Sequence, residues 1–230
     1  MIVLVLLVAV FHASLLKVWL EFNQSKQDIS NVSTSTMDRN EAKEGQFDFS
    51  AIRPVSALDI AKAQMANQNY PAIGGVAVPE LGINLPIFKG IEFNELMFGA
   101  GTLKADQKMG KGNYVLASHH IFGGWGSEEL LFGPLMKAQN GMSIYLTDKE
   151  KVYRYEVTSV QQTGNAIQDE KGAKSGNILY DNEGLEQVTL IACWDENAVN
   201  RIVVQGDLVE TTDFDDSQAE IFTSDYKQNG

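Results

Sequence analysis

The chain has a single cysteine, Cys193, among its 230 residues, which excludes an intramolecular disulfide and any thiol-rich metal site. Histidine is nearly as scarce, with three in all, and His12 lies inside an apolar N-terminal run. Neither a His/carboxylate metal motif nor a Gly-rich phosphate loop occurs, so no metal and no cofactor are expected. Basic residues are outnumbered, 18 Lys+Arg against 30 Asp+Glu, for a formal charge of −12. A surface of that sign repels phosphate backbones and argues against a nucleic-acid partner. The acidity says little about substrate, because it mostly serves solubility.

What is present divides the chain into four parts. Residues 1–22 hold the one long apolar stretch, broken early by His12 and Ser14 and followed by Lys17, Val18, Trp19 and Leu20. Its length suits a membrane-spanning helix of about 20 residues, with Lys17 and Trp19 at the interface. A cleaved signal peptide is the rival. Around Ala13 the small-residue cleavage pattern fails, because Phe11 sits two positions earlier. The reading is therefore an uncleaved single-pass anchor in the cell membrane, with the rest of the chain outside. Residues 23–70 are rich in Ser, Asn, Gln and charge up to about residue 50, which reads as a solvated tether. Within them, residues 56–67 space Leu58, Ile60, Ala61 and Met65 for a short helix with Ser56 as N-cap. Residues 71–212 form the folded domain, and residues 213–230 a peripheral acidic tail.

The domain reads as all-β. Short apolar runs at 75–79, 83–88, 112–117, 142–147, 152–160, 187–192 and 201–208 alternate with Gly, Pro and Asn turns. Tyr153, Tyr155 and Val157 share one face of a strand. Seven or eight such strands mean a barrel or a sandwich. Residues 130–139 read as a helical or 3₁₀ connection.

Cys193 ends the apolar run that begins at Val188. After a polar loop, Arg201 opens the next one. The thiolate is the reactive form of cysteine, and a nearby guanidinium favours it, so the pair has the makings of a nucleophile and an oxyanion partner. The blander reading is a small buried core residue, the usual fate of a free cysteine. His119 and His120 end a strand and precede a Gly-rich loop at 123–126, where catalytic groups tend to be mounted. In a strand His119 shares a face with Ala117 and Val115, and His120 with Ser118 and Leu116. At most one reaches a given thiol, and spacing does not choose between them.

Taken together, several segments resemble the class A sortases, membrane-anchored cysteine transpeptidases of Gram-positive bacteria, over roughly residues 72–212. They are Leu85-Pro86-Ile87-Phe88-Lys89-Gly90, Gly99-Ala100-Gly101-Thr102, Gly112-Asn113-Tyr114 running into Leu116-Ala117-Ser118-His119, Leu131-Phe132-Gly133-Pro134-Leu135, and the run from Gly141 to Asp148. Most specific is the family's Thr-Leu-x-Thr-Cys signature, met here as Thr189-Leu190-Ile191-Ala192-Cys193, with Arg201 at the family's spacing. The resemblance implies a closed sortase-type β-barrel of about eight strands with short helices. It also implies His119 as the histidine acid, Cys193 as the nucleophile and Arg201 as the oxyanion and backbone partner. Ala117, Ser118, Ile191 and Ala192 would line the substrate groove. The implied substrates are LPxTG-type surface proteins, cleaved between Thr and Gly through a thioester. They would pass to an amine of lipid II or another peptidoglycan precursor. Homodimerisation is left open.

The sequence departs from the family pattern at two places. Ala192 stands where the family has threonine, which removes a hydroxyl beside the cysteine and is expected to slow catalysis. Residues 161–186, which in the family cover the substrate's Leu-Pro end, are polar and long. Some class A sortases bind calcium before the histidine strand, but here Lys104 and Lys108 occupy that region and no calcium site is expected. The rival function is a membrane-tethered binding or assembly module with a vestigial or mainly hydrolytic site.

Overall fold

The computed structural model describes residues 29–47, 53, 55, 59, 62, 63, 65, 70–122, 127–164, 178–195 and 199–223. Eight strands follow one another: β1 (Ala72–Val78), β2 (Ile83–Phe88), β3 (Ala100–Thr102), β4 (Asn113–Ala117), β5 (Ser143–Thr147), β6 (Lys151–Thr163), β7 (Gln187–Cys193) and β8 (Arg201–Asp213). They close into a barrel in the order β1-β2-β3-β4-β7-β8-β6-β5. Closure leaves no open edge along the wall, so the ladder groups find partners within the molecule.

The apolar alternation of the strands sorts their side chains between two clusters. Tyr114, Leu116, Val188, Leu190, Ala192, Ile202 and Val204 point into the main core with Leu85, Ile87, Phe88, Phe98 and Phe132. Val115, Ala117, Ile191 and Val203 stand on the opposite face of β4, β7 and β8, packed with Ile91, Leu96 and Leu103. That outer cluster floors the site. β4 and β7 pair in parallel, Ala117 against Ile191, while β7 and β8 pair antiparallel, Cys193 against Arg201. The expected 3₁₀ connection is present at Gly133–Lys137.

Two expectations about the flanks are corrected. Residues 29–47 are not a solvated tether. Ile29 and Met37, from a 3₁₀ turn (Ile29–Asn31) and helix α1 (Thr34–Glu41), are buried with Ala77 of β1, Val152 of β6 and Phe222. Ile29 and Met37, with Val32 partly buried beside them, suffice to dock an arm of mostly polar residues when polar contacts finish the seam. Lys149 donates from Nζ to the carbonyls of Ile29, Ser30 and Val32 at 2.9–3.3 Å, and Asn40 Nδ2 donates to Ala72 O at 2.9 Å. The arm ends on a bridge from Gln46 to Gly90. Gly90 adopts φ +100°, and a Cβ there would collide with the Gln46 backbone, so glycine is required. Residues 214–223, expected as part of a peripheral acidic tail, are likewise packed on the domain. Asp215 caps a short helix α2 (Asp216–Ala219) through Ser217 and Gln218 N–H, and the turn after it plants Phe222, 2% exposed, under the arm.

The expected helix over residues 56–67 lies largely outside the described residues; Asp59, Lys62, Ala63 and Met65 are helical. The expected anchor, residues 1–22, lies wholly outside them. Among the described residues no helix is long and apolar enough to cross a membrane.

Candidate active site

Cys193 is the last residue of β7 and Arg201 the first of β8, so the turn between them returns the chain directly onto the thiol. Both are outward positions of their strands, continuous with Ile191 and Val203 of the outer cluster. Each is 2% exposed. Burial pushes the Cys193 thiol up, the Arg201 charge pulls it down, and Asp195 adds to the rise. Burial prevails, so the thiol is protonated at rest. Arg201 Nη1 donates to the Asn200 carbonyl at 3.2 Å.

The turn is held by Asp195. Its carboxylate accepts from Asn200 N at 2.9 Å, Asn200 Nδ2 at 3.0 Å and Val199 N at 3.4 Å, and Trp194 N donates to Asn200 O at 2.9 Å. An acidic residue two positions after the cysteine therefore sets the geometry between thiol and guanidinium.

β4 delivers the histidines beside the end of β7. The parallel ladder reaches Ser118, whose N–H donates to Ile191 O at 3.2 Å, and the Ser118 hydroxyl is taken by Gly99 O at 2.7 Å. His119 follows, 2% exposed, with its ring 4.8 Å from that of Phe93 and Nε2 3.4 Å from the Phe93 carbonyl. Because a carbonyl only accepts, Nε2 carries the proton of the neutral ring and Nδ1 is bare. Burial drives the ring's pKa down to about 4, against the Phe93 carbonyl, which raises it. Arg53, held bidentate by Asp59 at 2.8 Å, lies over the Phe93 ring at 3.9 Å and also disfavours the imidazolium. His120, 6% exposed, turns differently: its Nδ1 is 3.0 Å from the carbonyl oxygen of Cys193 itself.

Of the residues expected to line the groove, Ala117 and Ile191 lie on the outer face with the thiol. Ser118 is buried with its hydroxyl already bonded. Ala192 is turned the other way, 1% exposed in the main core with Leu190, Ile202 and Val204. A threonine hydroxyl there would point into the barrel, so the residue reaches the groove only through its backbone. Beyond the outer cluster, Ile178 and Leu179 are partly buried against the same floor. Asn113 ties them to β4, donating to Ile178 O at 2.8 Å and Tyr180 O at 3.2 Å and accepting from Thr189 Oγ1 at 2.7 Å.

Phe93, Arg53, Asp59 and Asp195 were not singled out from sequence. Phe93 and Arg53 lie far from the His pair in the chain and carry no motif. Asp195 was visible only as part of a polar loop. Among the described residues no group of three or more His, Cys, Asp or Glu is placed to hold a metal ion.

A thiol and a guanidinium paired across two strands of a closed barrel, with a histidine pair at the end of the neighbouring strand, invite comparison with known proteins. The family model described as the sortase domain matches residues 76–209. Sortase A of Streptococcus agalactiae is 38% identical over 99% of this chain and 91% of its own length. Sortase A of Listeria monocytogenes is 34% identical over 83% of this chain and 81% of its own. A solved structure of the Listeria monocytogenes enzyme superposes with a TM-score of 0.58, covering 66% of this chain and 97% of that one. The chain belongs to the sortase family and is a cysteine transpeptidase.

Proposed function

We propose that the protein is a class A sortase that cleaves LPxTG-type sorting signals between Thr and Gly and passes the surface protein to a cell-wall precursor amine. The observation that carries the reading is the cross-strand pairing of Cys193 with Arg201 beside the His119 turn. The Cys193 thiolate adds to the threonine carbonyl carbon, and the Arg201 guanidinium stabilises the oxyanion that forms. The C–N bond breaks as the His119 imidazolium gives its proton to the leaving glycine nitrogen, which leaves a thioester on Cys193. An incoming amine loses a proton to His119, attacks the thioester carbon and expels the thiolate. One peptide bond is broken and one is made, and no external energy is needed. Ala117, Ile191, Ile178 and Leu179 offer the apolar wall for the signal's Leu-Pro end. Residues 1–22 would hold the domain outside the cell membrane as a single-pass anchor, close to a lipid-borne acceptor such as lipid II.

The burial of Cys193 is the observation that favours the rival, a tethered module with a vestigial site. The full-length chain in mild detergent, given a fluorogenic LPxTG-type peptide and an amine, tests both. Cleavage and a peptide adduct on Cys193 by mass spectrometry are expected, with losses of more than about a hundredfold in Cys193→Ala, His119→Ala and Arg201→Ala. Cleavage that survives Cys193→Ala defeats the proposed mechanism. A parent protein that neither cleaves nor lets native Cys193 be alkylated supports the vestigial module.

A further inference from the structure

His120 is a buried titratable group that the proposed reaction leaves without a task. Its place is set by where the β4–β7 ladder stops. In a parallel ladder the residue that donates to Ile191 O, Ser118, is followed two positions later by the donor to Cys193 O. That position is His120. Here its ring takes over, with Nδ1 3.0 Å from the Cys193 carbonyl oxygen. On its other edge Cys193 faces Arg201 between strands whose next bond runs from Trp194 N to Asn200 O. The Cys193 carbonyl is therefore directed toward the histidine turn and not toward β8.

We propose that His120 is a positioning residue: its Nδ1–H donates to the Cys193 carbonyl and fixes the nucleophile's backbone at the point where the sheet ceases to hold it. The inference rests on Cys193 being the nucleophile. The carbonyl can only accept, so the neutral ring must be the Nδ1–H tautomer, opposite to that of His119. Neighbours hold the ring in place. Phe122 lies at 4.0 Å between ring centroids, and Gly133 approaches so closely that a Cβ there would come within 3.1 Å of His120 Cδ2. The backbone of the pair is pinned as well, since Phe132 N donates to His119 O at 3.2 Å. Burial favours the neutral ring, outweighing the Cys193 carbonyl and Glu128, both of which favour the charged one. The two adjacent histidines thus divide the work, His119 for protons and His120 for the backbone of the thiol.

Side-chain replacements separate this role from proton transfer, because the amide of Asn can reproduce an Nδ1–H donor and that of Gln an Nε2–H donor. In the full-length chain His120→Ala and His120→Gln are expected to lose roughly tenfold to a hundredfold in kcat with KM within about threefold, and His120→Asn to recover most of the rate. Circular dichroism at the assay temperature keeps unfolding out of the comparison. NMR of ¹⁵N-labelled histidine in the parent should show a protonated Nδ1 coupled to the Cys193 carbonyl carbon. An Nε2–H tautomer, an unchanged rate in His120→Ala, or an Asn variant as slow as the Ala variant overturns the proposal. A parent inactive on the peptide would sink the substrate reading instead, and the tautomer would still decide the role of His120.

Discussion

Burial keeps both the Cys193 thiol and the His119 imidazole neutral. Burial raises Cys193 above its ordinary range and lowers His119 to about 4. The reactive thiolate–imidazolium pair is then a minor form whose ratio to the neutral pair does not change with pH between the two values. Below the His119 value the ring is already charged and only the thiolate is lost. Above the Cys193 value the thiolate is already formed and only the imidazolium is lost. The kcat/KM profile is therefore expected to be flat from about pH 5 up through the ordinary cysteine range, and to fall only below the one limit and above the other. Steady-state rates across the range check it, and an acid limb centred near the ordinary histidine value would show that burial does not govern His119 in the free enzyme. How much of this was legible varies by residue. Cys193 and Arg201 could be read from sequence because each closes or opens an apolar run. The choice between His119 and His120 rested on resemblance alone, because face alternation assigns neighbours only while a ladder continues, and this one stops at Ser118.

Elements were legible where burial made them apolar on at least one face. β2 was expected over 83–88 and is found there. β6 and β8 run on to Thr163 and Asp213, past the expected ends, because their outer halves are half-exposed and lack an apolar alternation. The three residues of β3 show no pattern at all. Its place comes from small residues: Gly101 lies so near the Gly90 carbonyl that a side chain could not fit. The β7–β8 turn is the element on which the site depends most, and its brace is the Asp195 carboxylate. Two effects of that group can be told apart. Asp195→Asn keeps an oxygen to cap the turn but removes the charge that raises the thiol, so the thiol titration should move to lower pH while kcat changes little. Asp195→Ala removes the cap as well, and kcat should fall by about tenfold as the thiol and guanidinium lose register. Iodoacetamide alkylation of Cys193 against pH reads the first effect and turnover reads the second. Equal kcat in all three proteins would show that the turn needs no brace.

Over the whole molecule, the start of the arm and the nucleophile stand on opposite strands, while the arm's end reaches the outer cluster where Ile91 N donates to Gln46 O at 2.7 Å. Around the closed barrel β1 and β7 are four strands apart in either direction. The arm docks on β1, and the thiol ends β7. The sequence hid this arrangement because residues 29–47 are polar in composition, and the apolar side chains that dock them, Ile29, Val32 and Met37, form no sustained periodic face. Their burial beside Phe222 makes the arm part of the fold. Removing two such side chains from water is worth about 3–6 kcal/mol before the ordering cost of the arm is subtracted. Lys149, which bonds three arm carbonyls, would lose those partners too. A chain beginning at residue 48 would also leave Ala77, Val152 and Phe222 facing water. At about 2–4 °C per kcal/mol, its melting temperature should fall by on the order of 10 °C relative to a chain beginning at residue 25. Ile29 and Met37 dock four strands from the thiol, and the arm meets the outer cluster through the Ile91 N–H bond to Gln46 O, so the surviving folded fraction should keep most of its Cys193 alkylation rate. Calorimetry on the two chains decides the matter. Equal melting temperatures would return residues 29–47 to the status of a tether, whereas a lower one with an unchanged thiol would make the arm a structural belt that leaves the chemistry alone.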